Sequence, residues 1–205
     1  MKSTQSTSVK KGLELLAFGI SAFFSPYVTA TAFIVVITYL YAVDVRQFLP
    51  WVGVVAFFGL VLPGVYILYQ IEKNHLKDIH LSDHSQRKVP FLVTGISTTV
   101  GAIILAMIGA AKPVVVMGVA YAVNALAIGL LTIFWKVSIH TALYSSIVTV
   151  LVILLGAPYA WLYLVLIPLG WSRIYRNRHT FEQVIGGSLL AFVLTSLVFW
   201  VFGYI

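Results

Sequence analysis

Residues 91–134 read FLVTGISTTVGAIILAMIGA, then AKP, then VVVMGVAYAVNALAIGLLTIF. Each of the two apolar runs is long enough to cross a bilayer, because about 20 helical residues cover roughly 30 Å of hydrocarbon. Lys112-Pro113 between them leaves room only for a tight antiparallel connection. Lipid obliges every backbone amide to find its partner within its own segment, which selects helices. Strands of a membrane barrel would alternate apolar and polar residues, and these runs do not.

The same pattern extends in both directions. Apolar segments fall at about 12–43, 51–71, 91–110, 114–134, 141–157, 158–171 and 181–204. The first is too long for one span and is interrupted at Ser25-Pro26, where proline removes a backbone donor and biases its predecessor away from helix. It divides into a short interfacial helix over about 10–24 and a span over 27–43. Pro63 is expected to kink the second span, and Gly156-Ala157-Pro158 to make another tight turn. A mean hydropathy of +1.00 agrees with this reading. The expectation is an all-α polytopic bundle of about six transmembrane helices plus an N-terminal interfacial helix. Residues 1–11 form a polar tail and 12–205 a single domain, with no cleaved leader.

With no cysteine, disulfides and thiolate metal sites are excluded. A net charge of +7 in a soluble chain would suggest nucleic acid; here it points to membrane topology and to an anion, with no nucleic-acid partner. The loops after the second, fourth and sixth spans fall on one membrane face. All five histidines lie there, His75, His80, His84, His140 and His179. Of the 13 Lys/Arg, only Arg46 and Lys112 lie opposite if residues 27–43 cross once. The positive-inside rule accounts for lysine and arginine but not for histidine. One shared site at the membrane boundary accounts for both.

The densest polar stretch is Ser172-Arg173-Ile174-Tyr175-Arg176-Asn177-Arg178-His179-Thr180-Phe181-Glu182-Gln183. Arginine's planar fork binds phosphate bidentately, so Arg173 and Arg87 are candidate clamps, with Lys88 as a point charge. Thr180 to Gln183 fits a capping box opening the last helix, which brings a helix N-terminus to the same place. Trp51, Trp135, Trp161 and Trp171 near span ends read as belt residues, and Asn124 as an interhelical hydrogen bonder.

Ser172, Arg173 and His179 stand at the spacing of a Ser-Arg-x5-His-x3-Asp block, with Gln183 where the aspartate would fall. Val137-Ser138-Ile139-His140 keeps the serine and histidine of a Pro-Ser-Gly-His block. Arg87-Lys88-Val89-Pro90 stands near the Arg-Pro of a Lys-x6-Arg-Pro block, with His80 at the lysine position. In this order the chain resembles the type 2 phosphatidic acid phosphatase family, related to the vanadium haloperoxidases, over roughly residues 50–205. The resemblance implies a lipid or prenyl phosphate substrate, His179 as nucleophile oriented by Gln183, His140 as acid and then base, and Ser138 among the phosphate-binding groups. It implies no cofactor and no metal.

Two other readings use the same residues. Asn74, Asp78 and Asp83 ahead of Arg87 loosely resemble the Mg²⁺-binding loop of the ubiquinone-type intramembrane prenyltransferases, though a second aspartate-rich loop is missing. The degenerate blocks and Gln183 also suit a non-catalytic scaffold that binds membrane lipids. The lysines outside the blocks (Lys2, Lys10, Lys11, Lys73, Lys77) favour a cytoplasmic site face in the cell membrane.

Overall fold

The computed structural model describes residues 2–76, 78 and 86–205, the side chains of 2–8 excepted. Lys77, His80, Asp83 and His84 lie outside the described residues. Within them the chain is all-helical, with no strand. Five apolar helical stretches are long enough to cross a membrane: Val9–Tyr41, Val45–Glu72, Lys88–Met107, Lys112–Leu131 and Phe181–Val201. This is a membrane protein, and large apolar side chains such as Phe57, Ile103, Leu189 and Trp200 face outward along these stretches, where lipid meets them.

The first stretch divides where proline requires it. Helix α1 (Lys2–Phe23) takes in the polar start, and α2 (Pro26–Tyr41) opens on Pro26 with Ser25 as its cap, φ −63° and ψ 147°. That extended conformation is what a following proline imposes. Asp44 then caps α3 (Val45–Ala56) through Gln47 N–H at 3.0 Å, and Gln47 Oε1 accepts from Val43 N–H at 3.0 Å. The second span therefore begins well before residue 51.

The kink expected at Pro63 takes the form of a π turn, Phe57–Val61, leading into α4 (Leu62–Glu72). Pro63 brings no N–H, so a carbonyl one turn back loses its donor. Ser97 Oγ donates to the Phe58 carbonyl at 2.7 Å, from across the interface with the next helix. A neighbouring hydroxyl thus satisfies backbone that the proline sets free, the arrangement lipid demands.

Helices α5 (Lys88–Met107) and α6 (Lys112–Leu131) form the expected hairpin. At Gly95 an added Cβ would stand 2.4 Å from Leu126 Cγ. Only glycine lets these backbones approach, and close approach is what holds helices together in lipid. Helix α7 (Ile139–Leu155), at 17 residues, rises about 25 Å, a little less than the width of the hydrocarbon. It stops at Gly156, φ 103°.

The segment expected as a short span over 158–171 is not one α-helix. It is a nine-residue 3₁₀ stretch, Ala157–Val165, followed by the ten-residue α8 (Leu166–Tyr175). A 3₁₀-helix rises about 2.0 Å per residue, so few residues cover a long distance. Tyr163 ties it back to α7 through its hydroxyl, 2.7 Å from Thr149 Oγ1. Helix α9 (Phe181–Val201) runs parallel to α7, joined by a ladder of hydroxyls. Thr141 Oγ1 donates to the Val184 carbonyl at 3.2 Å, Ser145 Oγ to that of Ser188 at 2.9 Å, and Ser146 Oγ meets Thr195 Oγ1 at 2.8 Å. Asn124 adds the expected interhelical bond, Nδ2 to Thr195 Oγ1 at 3.0 Å.

The ends of α4, α6 and α8 meet at one end of the bundle, and the α2–α3 and α5–α6 turns lie at the other. Cysteines placed at Asn74, Trp135 and Asn177 of this cysteine-free chain should all react with an impermeant thiol reagent from one side of sealed vesicles. Cysteines at Val43 and Gly109 should react from the other. Labelling of the first three from different sides would break the arrangement.

Candidate functional site

A cavity of about 470 Å³ opens at the end where α4, α6 and α8 converge. Arg87, Lys136, His140, Arg173 and His179 line its mouth, with Arg176 and Arg178 beside them. No residue of the lining is acidic among the described residues.

Local backbone rules bring the last four of these together. Helix α8 is capped by Arg176, and Asn177 takes the left-handed conformation, φ 53°, that closes a helix. The chain then folds back so that Arg178 N–H donates to the Arg173 carbonyl at 3.0 Å and His179 N–H to the same oxygen at 3.3 Å. Arg173 and His179 are thereby fixed to one another by backbone before any ligand is present. Immediately afterwards Thr180 caps α9: its Oγ1 accepts from Gln183 N–H at 3.4 Å, and Gln183 Oε1 accepts from Thr180 N–H at 3.3 Å.

That capping box also sets the state of the histidine. His179 Nδ1 lies 3.2 Å from the same Gln183 Oε1. Since Oε1 accepts from the Thr180 N–H, the amide is oriented and its oxygen faces the ring. An oxygen can only accept, so Nδ1 carries the proton and Nε2 keeps its lone pair. His179 is only 8% exposed. Burial, then the charges of Arg173, Lys136 and Arg87, push its pKa down to about 3, against a smaller upward pull from Gln183. The ring is neutral at pH 7.

Arg173 is drawn down to about 10, first by burial and then by Arg176, Arg178 and Arg87, and stays charged. One Nη1–H donates to Ser21 Oγ of α1, while its Nε is buried with no partner among the described residues. Arg87, 3% exposed, donates from Nη1 to the Val137 carbonyl at 3.1 Å, which binds the start of α5 to the segment before α7.

The remaining candidates take different places. Ser138 is fully buried and caps α7 by accepting from Thr141 N–H at 3.5 Å, while its own N–H donates to the Gln183 carbonyl at 3.1 Å. It does not line the cavity, and neither does the exposed Lys88. Gln183 acts through His179 rather than from the lining. His140 lines the cavity from the first turn of α7.

Sequence reasoning missed two participants. Lys136 belongs to none of the motif blocks, yet its charge bears on His179. Helix α1 supplies Phe18 and Ser21 to the wall, with Arg176 stacked 5.1 Å above the Phe18 ring. Ser21 and Arg173 are 152 residues apart, and nothing local in the sequence marks that pairing.

No protein-family model matches this chain, and comparisons with curated proteins and with solved structures give no match.

A histidine held neutral below its ordinary pKa makes folding favourable above about pH 6.5, where the unfolded ring is also neutral. That contribution is lost as pH falls toward 3, because the unfolded chain takes up the proton first. The unfolding temperature in detergent should fall between pH 6.5 and 4, and His179→Gln should flatten the fall. An unchanged pH profile in His179→Gln would contradict a buried neutral ring.

Proposed function

We propose that the protein is an integral-membrane phosphatase that hydrolyses a phosphate monoester or diphosphate of a lipid or prenyl alcohol. The observation that carries the reading is the pairing of an oriented, neutral His179 with Arg173, Arg87 and Lys136 around one cavity. Cations around a phosphoryl group stabilise the charge on its equatorial oxygens, and most of the catalysis of such transfers is positioning and electrostatics.

In this scheme Nε2 of His179 attacks phosphorus and the bond to the alkoxide oxygen breaks. Protonated His140 gives its proton to the departing alkoxide, leaving an alcohol and a phosphohistidine. His140, now neutral, takes a proton from water as that water's oxygen bonds to phosphorus. The N–P bond breaks, phosphate leaves, and both imidazoles return to their starting states. Gln183 holds Nδ1–H throughout, but as a neutral amide it does not offset the positive charge on the phosphorylated ring. Turnover is accordingly modest.

The protein sits in the cell membrane with about six crossings and α1 at the interface. The exposed Lys10, Lys11 and Lys73 favour the cytoplasm for the site face. A second reading, a lipid-phosphate-binding protein without turnover, is favoured by one observation: an amide stands where hydrolysis calls for a carboxylate.

Phosphate release from lipid phosphates and prenyl diphosphates by purified protein separates the readings. Release should persist in EDTA, and His179→Ala should abolish it. Arg173→Ala should mainly raise KM. Gln183→Asp should raise kcat roughly tenfold, the difference between a neutral and a charge-assisted hydrogen bond. Activity left intact in His179→Ala would remove the nucleophile. Binding without release in every preparation, Gln183→Asp included, would leave the second reading.

A further inference from the structure

The cavity does not end at its cationic mouth. It continues between α2, α4, α5, α6 and α7, where Leu60, Ile67, Phe91, Ala125, Ile128 and Leu143 line it. A second, smaller void of about 50 Å³ lies deeper in the bundle, among Phe33, Ile34, Phe58, Leu105, Met117 and Val150. Gly59, Tyr121, Leu143 and Ser146 line both spaces. They belong to the π turn, α6 and α7, so one cross-section of the bundle divides the cavity from the void beneath it.

Tyr121 is the largest side chain of that cross-section. An added Cβ at Gly59 would stand 3.8 Å from Tyr121 Cε1, so the ring reaches from α6 to the π turn and lies against the one position there without a side chain. Ser146 is small, and its Oγ is held by Thr195 Oγ1 at 2.8 Å. Tyr121 lies ten residues before the end of α6 at Leu131, roughly 15 Å along the axis at 1.5 Å per residue. Lys136 and the mouth follow just beyond that end. An extended alkyl chain, with bonds of about 1.52 Å at angles of about 111°, advances roughly 1.25 Å per carbon, so about twelve carbons reach from mouth to ring. A cavity of about 470 Å³ is at the small end of ligand pockets, with room for one such chain rather than two long ones.

We infer that Tyr121 is a specificity-determining residue, whose ring is the end stop for a single apolar chain of about twelve carbons carried by an anionic head at the mouth. This rests on the reading of the mouth as the anion site of a lipid-like ligand. Longer chains meet the ring, and taking the ring away joins the cavity to the void below. A chain that left the cavity sideways between helices would meet no stop, and substitution at Tyr121 would not change the preferred length.

The test uses the full chain in maltoside micelles and ligands that cannot be turned over. Octyl-, decyl-, dodecyl-, tetradecyl- and hexadecylphosphonate are titrated by calorimetry into wild type, Tyr121→Ala and Tyr121→Phe. Partition into the micelle affects a given phosphonate equally with each protein, so each length is read as the ratio of variant to wild-type Kd. Tyr121→Ala should bind hexadecylphosphonate roughly fivefold tighter than wild type or better, the low end of what forcing extra methylenes into a filled site costs. For octyl- and decylphosphonate the two should agree within about twofold, since neither chain reaches the ring. Tyr121→Phe keeps the ring and should match wild type at every length. Tyr121→Leu, which removes the ring but keeps an apolar side chain, takes the place of Tyr121→Ala if that variant does not fold. A ratio that is the same at every length overturns the end stop and leaves the anion site standing. No binding of any phosphonate to wild type overturns the anion site, and the end stop with it.

Discussion

Gln183 joins three parts of the molecule through two oxygens. Its side-chain Oε1 accepts the Thr180 N–H that would otherwise be orphaned at the start of α9, and the same atom meets His179 Nδ1. Its backbone carbonyl accepts the N–H of Ser138, which in turn caps α7. The starts of two parallel helices and the tautomer of one histidine are therefore set together. Gly187, one turn further, shows how tightly: a Cβ there would meet the Ser138 carbonyl at 3.0 Å. The site is a by-product of how α7 and α9 begin, and it cannot drift without unpairing backbone groups at both.

The rest of the bundle follows the same economy. In lipid the apolar effect does not draw helices to one another, so contact must come from close approach and from polar groups. The hydroxyl ladder between α7 and α9, the glycine contact between α5 and α6, and Ser97 on the Phe58 carbonyl are three versions of that solution. At the far end Lys112 Nζ donates to the Phe202 carbonyl at 2.6 Å, closing α9 with a cation where its carbonyls are exposed.

Much of this was written in local pattern. Apolar run length marked the spans, Ser25-Pro26 marked the division of the first, and Thr180 with Gln183 marked the start of α9. The parity of crossings was enough to expect the ends of α4, α6 and α8 on one side. What local pattern does not carry is tertiary reach. The return of α1 onto α8, through Ser21 and Phe18, depends on contacts far apart in sequence. The π turn before Pro63 comes with a hydroxyl from a neighbouring helix, Ser97, on the Phe58 carbonyl, a partner 39 residues away that the proline itself does not mark. The 3₁₀ stretch depends on Tyr163 meeting Thr149, a pairing invisible in composition. Ser138 illustrates the ambiguity of a motif letter: in one dimension a serine beside a histidine suits a ligand site, and in three it is a buried cap.

The mouth of the cavity has arginine, lysine and histidine in its wall and no carboxylate among the described residues. Burial first, and then the neighbouring positive groups, lower the affinity of Arg173 and His179 for protons. A cationic mouth attracts small anions from the medium as well as any anionic ligand, and the two compete for it. Chloride, sulfate or free phosphate in the surrounding water then acts as a competitor, and the strength of any measured interaction belongs to the buffer as much as to the protein.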